Sequence, residues 1–467
     1  MSLSRPAPSQ KLAQREIDRT PGPPPLGNKA LPYAFTIGAL LLLVPLGVKG
    51  ITEASIGVGF VVMLILLFAL GLEKLGIFVV MLGMFFAPMT AMVLPGASFV
   101  TVSDFAVVIG FGLLFPTVIR KPLWVPWQFG LGSIVFFVVG CIASFLVPVP
   151  LSSIDLTLRV TAATILLPLA FVWWAPRGKV LIALVAAYPA GATFNVLYAV
   201  LKGPTLANGR YTGLTEQPTA FGYAALLGMC VLPFLAAVLP QGRRWMVLPV
   251  GLILGYGIWI SGSRASLLVL ILMAAMYPLL ERSIKAAGFL FAAGIAIYAM
   301  LGKILDQNDG SNALSRLLGH GSGGSDSERL EGLAAAFKVF QESPIIGNGF
   351  EFDTFLAHNI YMQVLTCVGI IGFIAFMLIL WSFAIPLFTA AAPYRLLAYP
   401  AVAYIIVGPI TPNLGSRYVG IMLAVSFLGA TIGRMGPDDV EPEPEPEEAP
   451  PPPRHSSSPQ INGVRRA

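Results

Sequence analysis

Long apolar segments recur along the chain from about residue 31 to about residue 434, separated by short polar connections. Most are about 17–25 residues long, the length that an α-helix needs to cross a bilayer. The pattern predicts spans near residues 32–48, 52–71, 75–94, 104–119, 129–148, 156–175, 180–201, 219–239, 245–260, 265–281, 286–304, 360–391, 396–411 and 418–433. Their number is about 14, or 12 to 13 where neighbouring short segments form one broken helix.

The composition supports a membrane protein. Charged residues make up 11% of the chain, against roughly 25% in an ordinary soluble domain. We therefore expect an all-α fold, a polytopic membrane helix bundle of about 12–14 transmembrane helices with one large outer loop that contains an amphipathic helix. The net charge of +6 comes from cations scattered between apolar segments, so it does not indicate a nucleic-acid partner.

Both ends of the chain differ in composition from this apolar region. Residues 1–30 are basic and contain several prolines, and residues 435–467 are rich in Pro and Glu. Neither segment has enough apolar residues to form a core, so both are predicted to be disordered cytoplasmic tails around a transmembrane domain at 31–434. The Pro-rich tail is an open candidate for binding a cytoplasmic partner.

The distribution of Lys and Arg predicts the topology, because short cytoplasmic loops carry an excess of these residues. With the basic N-terminal tail inside, every inward loop contains a cation: Lys74, Arg120, Lys121, Arg177, Lys179, Arg243, Arg244, Arg282, Lys285, Arg395 and Arg434. Both termini are therefore predicted to be cytoplasmic, in a multi-pass protein of the cytoplasmic (inner) membrane.

Several arginines do not follow this rule and fall on the predicted outer side. They are Arg210, Arg264, Arg316, Arg329 and Arg417. Arg264 is the clearest exception, because its connection, SGSRAS, is only a few residues long and lies between apolar segments. An arginine there is costly unless an anionic or hydrated environment receives it. For Arg316 and Arg417 we favour pairing with lipid headgroups over a role in a site.

One large outer loop is predicted at about residues 305–358. It contains a glycine-serine segment followed by Ser325-x-x-Glu328, which has the spacing of a capping box. Apolar residues then follow at helical spacing, at Leu330, Leu333, Phe337 and Phe340. We expect an amphipathic helix that lies against the outer face of the bundle and could act as a lid; the alternative is a passive connector.

The same loop carries most of the polar chemistry predicted for the outer side, and it ends in PIIGNGFEFDTFLAHNIYMQV. Together with SGSRAS and the following GIIG, this order of motifs resembles the O-antigen ligase and Wzy-type polymerase superfamily of membrane glycosyltransferases. The resemblance extends from Ser261 to about Phe376, with weaker support from Gly209–Phe221.

The resemblance implies metal-independent transfer of a glycan from a polyprenyl diphosphate to an acceptor hydroxyl, outside the cytoplasmic membrane and without a cofactor. It assigns the donor diphosphate to Arg210, Arg264 and Arg329, and activation of the acceptor to His358. Membrane lipid and a glycan or glycolipid acceptor are the other implied partners.

Residue chemistry agrees with these roles. Guanidinium groups neutralise a diphosphate leaving group with paired N–H bonds, and they stay charged at any working pH. An imidazole with an ordinary pKa of about 6.5 is a suitable general base, and single displacement with such a base inverts the anomeric centre. The alternative is that His358 merely caps the following helix.

Further candidate contacts lie beside these residues. They are Asn359, Glu216, Gln217 and Tyr361, as candidate ligands of the glycan or the acceptor. Asn195, inside a predicted span, is expected instead to bond to a neighbouring helix. The three cysteines have no CxxC or Cys/His neighbours, so no metal site is predicted.

Three other functions stay open. A polymerase joins two lipid-linked units, whereas a ligase uses a different acceptor; we lean towards a ligase because the chain has a single large loop late in the sequence. A transporter or flippase of lipid-linked glycans is less favoured, because the predicted spans carry almost no charge at the membrane midplane. A scaffold explains the Pro-rich tail but not the outer arginines.

Overall fold

The computed structural model describes residues 70–94, 97–206, 209–288, 290–292, 294–295, 312–317, 323–350, 358–411 and 414–432. Within these residues the protein is a bundle of α-helices with one short antiparallel hairpin. The predicted tails, and the predicted spans near 32–48 and 52–71, lie outside the described residues, as does most of the span near 286–304.

The helices differ widely in length. In chain order they are α1 (Leu72–Phe86), α2 (Val102–Val118), α3 (Trp127–Phe145), α4 (Pro150–Thr161), α5 (Leu167–Trp174), α6 (Gly178–Lys202), α7 (Pro218–Val238), α8 (Val247–Ser261), α9 (Arg264–Glu281), α10 (Ala313–Leu317), α11 (Gly323–Glu342), α12 (Ile360–Ala384), α13 (Pro386–Thr389), α14 (Tyr399–Val407) and α15 (Arg417–Ile432). A π-helical turn at Ala162–Leu166 joins α4 to α5, and 3-10 turns occupy Gln241–Met246, Tyr394–Ala398 and Gly408–Ile410. The hairpin consists of β1 (Val93–Leu94) and β2 (Ala97–Thr101).

Seven helical segments of the described chain are long and apolar enough to cross a membrane. They are Trp127–Phe145, Pro150–Trp174, Gly178–Lys202, Pro218–Val238, Gln241–Ser261, Arg264–Glu281 and Ile360–Thr389. Shorter apolar helices occupy Val102–Val118, Tyr394–Ile410 and Arg417–Ile432. The prediction of an all-α polytopic membrane bundle is therefore confirmed, whereas the total of 12–14 spans also depends on residues outside this description.

The predicted span at 75–94 is wrong in its second half. Helix α1 ends at Phe86, and Val93 pairs with Thr101 in the hairpin. Pro88, which has no N–H to continue the helical hydrogen bonds, follows closely, and its carbonyl accepts a hydrogen bond from Asn195 Nδ2 (3.0 Å). Apolar composition alone does not distinguish a helix from the loop and hairpin that follow it.

The core of the bundle is formed around α15 and α7. Every residue of α15 from Tyr418 to Ile432 is buried, and α7 is buried over most of its length. Both helices are surrounded by protein rather than exposed at the bundle surface. They therefore show no amphipathic pattern in the sequence, as expected for helices that are apolar on all sides.

Helix α12 is broken at Gly369, which has φ +63°. Residues 344–349, which we call the strap, bond to the backbone at this break: Ile370 N–H donates to Pro344 O, and Asn348 N–H donates to Thr366 O, both at 2.9 Å. A Cβ at Gly369 would lie 2.3 Å from Ile345 O, so only glycine permits this contact. The strap fixes the C-terminal end of α11 against the bundle.

Candidate functional site

The first element of the site is the loop at residues 203–217, which is held in shape by hydrogen bonds between its own residues. Thr205 N–H donates to Arg210 O (3.1 Å), and Thr205 Oγ1 accepts from Thr212 N–H (3.1 Å). Asn195, buried in α6, accepts from Leu214 N–H through Oδ1 (2.7 Å), while its Nδ2 holds Pro88. The predicted polar contact of Asn195 is thus made with two loops rather than with a helix, and it anchors the segment that carries Arg210.

Arg210 is attached to the corner between α8 and α9. Its Nε donates to Ser261 O (2.9 Å), and the next residue, Tyr211, donates its N–H to Ile260 O (3.2 Å). Only 9% of Arg210 is exposed, and its Nη2 has no hydrogen-bond partner among the described residues. A buried guanidinium nitrogen without an acceptor is costly, so this atom is suited to an anion that enters from outside the protein.

The same corner receives a second arginine, Arg316 of the short helix α10. Its Nη1 donates to Gly262 O (3.3 Å), and it is as buried as Arg210. Three successive carbonyls, those of Ile260, Ser261 and Gly262, therefore accept from the Arg210 loop and from α10. These carbonyls end α8, where the negative end of the helix dipole stabilises cations.

Helix α9 starts at this corner and contributes the third arginine. Ser263 is its N-cap, and Ser263 Oγ accepts from Ser266 N–H (3.4 Å). Arg264 is therefore the first residue of an 18-residue helix whose N-terminal end lies in the cavity lining. Helix N-termini favour anions through their N–H groups and dipole, in addition to the side-chain charge.

These elements surround a cavity with a volume of about 240 Å³. It is lined by Arg210, Gln217, Pro218, Thr219, Tyr223, Gly262, Ser263, Arg264, Ala265, Ser266, Arg316, Arg329, His358, Val407, Ile410 and Thr411. None of these lining residues is a carboxylate, whereas four are arginines. The cavity is thus strongly cationic and, at its α14 side, apolar.

The pKa of Arg210 shows how closely the positive charges are placed. Burial lowers it first, and the charges of Arg316, Arg329 and Arg264 lower it further, to about 10. Arg210 is still charged at neutral pH, so the repulsion persists until an anion compensates it. Arg210 therefore combines burial of its charge, repulsion by neighbouring positive charges and an N–H group without a hydrogen-bond partner among the described residues.

His358 lines the same cavity and lies just before the start of α12. Its backbone is left-handed, with φ +47°, a conformation that is uncommon for a residue with a side chain and recurs at functional sites. Burial, followed by the charge of Arg329, lowers the pKa of His358 below its ordinary value of 6.5, and Glu328 opposes the shift. The imidazole is therefore neutral at neutral pH and able to accept a proton.

The residue that caps α12 is Asn359, not His358. Asn359 Oδ1 accepts from Met362 N–H (3.1 Å). The alternative interpretation of His358 as the cap is therefore wrong. Because the cap is supplied by its neighbour, the imidazole of His358 is available to the cavity.

Of the other candidate contacts, the structure places one in the cavity lining and three outside it. Gln217 lines the cavity, whereas Glu216 is exposed and is not part of the lining. Tyr361 Oη donates to Ile405 O (2.6 Å) and so links α12 to α14. Glu216, Asn359 and Tyr361 do not line the cavity, and their roles in binding the glycan or the acceptor stay predictions.

From the sequence, Arg316 and Arg417 were both expected to pair with lipid headgroups, but the structure places them in different surroundings. Arg316 enters the cavity, while Arg417 forms an ion pair with Asp104 at the start of α2. The sequence signal for Arg316 is weak because it lies in a long loop, where the charge rule gives no information. Cavity residues of α14, such as Val407, carry no local signal at all.

Among the described residues, no group of three or more His, Cys, Asp or Glu side chains could hold a metal ion. Glu351 and Asp353, the acidic pair closest in sequence to His358, lie outside the described residues. The charged groups in the described lining are arginines, which are ligands for anions.

Comparison with protein families places part of this site in a known domain. Residues 249–377, 129 of the chain's 467 residues, match the family model described as O-antigen ligase. The match confirms the resemblance inferred from SGSRAS and the HN motif. It includes Arg264, Arg316, Arg329 and His358, whereas Arg210 precedes it. No curated protein matches the chain.

Proposed function

We propose a specific reaction for the cavity. Residues 249–377 match the O-antigen ligase family model, in a polytopic membrane protein, and this match supports a role in glycosyl transfer during polysaccharide assembly. The protein transfers a glycan from a polyprenyl diphosphate to an acceptor hydroxyl on the outer face of the cytoplasmic membrane. One observation carries this proposal: a buried Arg210 Nη2 without a partner among the described residues, in a cavity whose described lining contains four arginines and no carboxylate.

The donor binds with its diphosphate at the corner between α8 and α9. Arg210 and Arg316 each donate to a backbone carbonyl there, so their guanidinium groups are oriented before the substrate arrives. Arg264 and Arg329 complete the positive field. This preorganised charge stabilises the diphosphate most when the glycosyl–phosphate bond breaks and negative charge develops on the leaving oxygen.

The acceptor approaches from the His358 side of the cavity. The neutral imidazole takes the proton of the acceptor hydroxyl while that oxygen forms a bond to the anomeric carbon. The bond from that carbon to the phosphate oxygen breaks, and the electron pair leaves with the diphosphate. Single displacement of this kind inverts the anomeric configuration.

The experiment determines which lipid-linked glycans accumulate when the gene is removed, and on which side of the membrane they lie. Polymer on an outward-facing carrier indicates a ligase, and single repeat units there indicate a polymerase, the alternative within the same chemistry. Glycan trapped on the inner face indicates a flippase and contradicts the proposal.

Rescue with variants tests the site. Wild type is expected to restore transfer, and Arg264→Ala, Arg210→Ala and His358→Ala are not. Arg159→Ala is the matched control, because Arg159 forms an i, i+4 pair with Asp155 (2.5 Å) on α4 and is not part of the cavity lining. Full rescue by His358→Ala at wild-type protein levels would contradict the role of the imidazole.

A further inference from the structure

Helix α11, which carries Arg329, has three distinct faces. One face packs on α12 and consists of Leu333, Ala336 and Phe340, which contact Met362 and Leu365. A second face is charged and exposed, with Glu331, Lys338 and Glu342. The third face is apolar and also exposed, with Leu330 and Phe337. A helix that needed only to cover the bundle would have two faces, so the third requires a partner.

The packed face is fixed by polar contacts as well as by apolar ones. Thr366 Oγ1 donates to Ala336 O (3.3 Å), and Asn348 Nδ2 of the strap donates to Val339 O (2.7 Å). The rotation of α11 about its own axis is therefore set by α12 and the strap. The exposure of the third face does not result from a loosely placed helix.

The apolar residues that predicted an amphipathic helix against the bundle do not all contact the bundle: Leu333 and Phe340 pack on it, whereas Leu330 and Phe337 do not. Leu330 is 68% exposed and Phe337 is 51% exposed. These two residues are seven positions apart, about two helical turns, and therefore lie above one another on the same face. Ala336 packs on Met362 in the contact between α11 and α12, and Leu330 and Phe337 lie outside this contact.

The strap connects this apolar face to the lipid-facing surface of the bundle. On α12 the exposed apolar residues recur at helical spacing from the break at Gly369 onward, at Ile370, Ile371, Ile374 and Trp381. No residue of α12 before Gly369 is exposed. Ile345 of the strap is 60% exposed and accepts through its carbonyl from Ile371 N–H (3.4 Å), so it extends the exposed apolar surface from α12 towards α11.

We infer that α11 is an interfacial helix whose Leu330–Phe337 face is inserted among the acyl chains of the bilayer. Its α12 face packs on the bundle, and its charged face is directed to water. Two large apolar side chains in the acyl region, with charged residues about a quarter turn away, are the arrangement of helices that lie in the plane of a membrane surface. The occupant of the third face is bulk membrane lipid, continuous with the lipid around α12.

This contact has a consequence for the cavity. Arg329 directly precedes Leu330, so the same helix carries a residue of the cavity lining and a residue of the lipid-facing surface. The membrane contact thus adds to the packing on α12 that holds this wall of the cavity. The inference concerns the resting protein and does not depend on the proposed reaction.

The test measures lipid depth at single positions of α11. Spin labels are attached at Leu330→Cys, Phe337→Cys, Glu331→Cys and Lys338→Cys in the full chain, with Cys141, Cys230 and Cys367 replaced by alanine. The protein is reconstituted without substrate in phosphatidylethanolamine–phosphatidylglycerol bilayers. Collision with oxygen, which concentrates in lipid, is compared with collision with a water-soluble nickel chelate.

Labels at 330 and 337 are expected to collide with oxygen and to be shielded from nickel, while labels at 331 and 338 show the opposite ratio. Equal nickel access at all four positions would overturn the inference, because the apolar face would then lie in water. Shielding of 330 and 337 from both reagents would also overturn it, because another part of the protein would then cover the face. An unchanged fold is checked by the thermal stability of each labelled protein against the parent.

Discussion

At the scale of single residues, the cavity depends on Arg210, whose guanidinium group is held by a backbone carbonyl. Arg210 uses Nε for Ser261 O and has Nη2 buried without a partner in the described part of the chain. A carboxylate partner would have neutralised the charge in advance. Backbone carbonyls orient the guanidinium while leaving its charge uncompensated, which is what binding a dianionic group requires.

The pH dependence of transfer tests the electrostatic link between Arg329 and His358. Burial and the charge of Arg329 hold the pKa of His358 below its ordinary value, so the neutral base persists to a lower pH. Activity should fall as pH drops through this pKa. Arg329→Gln removes a positive charge, raises the pKa of His358, and should move the acidic limb of the pH profile of kcat/KM to higher pH.

The control is Arg329→Lys, which keeps the charge and should leave the acidic limb close to its wild-type position. Both variants alter the contact of residue 329 with the diphosphate of the lipid-linked donor, so the rate itself is expected to fall in each. The position of the limb, not the height of the profile, is the measured quantity. An unmoved limb in Arg329→Gln would show that His358 is not the titrating base.

A second prediction concerns Asn195 as a positioning residue. Asn195→Ala removes the hydrogen bond to Leu214 of the Arg210 loop and the one to Pro88, and leaves both backbone groups without this partner, at a cost of about 1–3 kcal/mol. We expect a higher KM for the lipid-linked donor with a smaller change in kcat. Thr193→Val is the matched control on the same helix, because the buried Thr193 hydroxyl has no hydrogen-bond partner among the described residues.

Steady-state kinetics with purified protein in detergent measure both variants. Thr193→Val should be close to wild type. Equal loss of kcat in Asn195→Ala and Thr193→Val would point to general disturbance of α6 instead of displacement of Arg210.

At the scale of elements, the break in α12 joins the membrane-spanning part of the helix to the site. Gly369→Ala places a side chain at φ +63° and 2.3 Å from Ile345 O. It should lower stability by more than about 1 kcal/mol and displace the strap. Gly112→Ala in α2 is the control, since no atom lies within 4 Å of its added Cβ.

Thermal unfolding in detergent is the measurement for this pair. We expect a lower midpoint for Gly369→Ala and an unchanged or higher midpoint for Gly112→Ala. Wild-type stability in Gly369→Ala would mean that the strap adapts to the added methyl group and does not fix α11.

At the scale of the whole molecule, polar contacts pair elements on the same predicted side of the bundle. Lys121 Nζ donates to Trp174 O (3.0 Å), and Arg395 forms a bidentate pair with Glu281, so these loops meet at the end predicted to be cytoplasmic. Arg417 and Asp104 meet at the predicted outer end. The charge pattern predicts the side of the membrane on which each end lies.

Cysteine labelling in whole cells tests this orientation. Glu216→Cys lies on the exposed part of the Arg210 loop, and Arg243→Cys lies on an exposed turn at the opposite predicted end. A membrane-impermeant maleimide should label the first from outside and the second only after permeabilisation. The reverse pattern would place the cavity on the cytoplasmic side and exclude the proposed outer-face reaction; the parent protein controls for Cys141.

The sequence by itself determined the features that depend on local composition. Apolar length predicted the membrane helices, and the positive-inside rule made Arg264 an exception that required an anionic or hydrated environment. The HN motif placed His358 at the start of a helix. Each of these conclusions uses residues that are neighbours in the chain, where helical spacing and bilayer thickness restrict the possibilities.

Only the tertiary structure decided which distant residues share the cavity and which face of α11 is open. Arg316 lines the cavity because its short helix lies close to the Gly262 carbonyl, which is 54 positions away in the chain. Arg417 instead forms an ion pair with Asp104. Leu330 and Phe337 are exposed because they lie outside the contact in which Leu333, Ala336 and Phe340 pack on α12. Such choices depend on packing between elements, and a hydrophobic period shows which residues share a face without showing what that face meets.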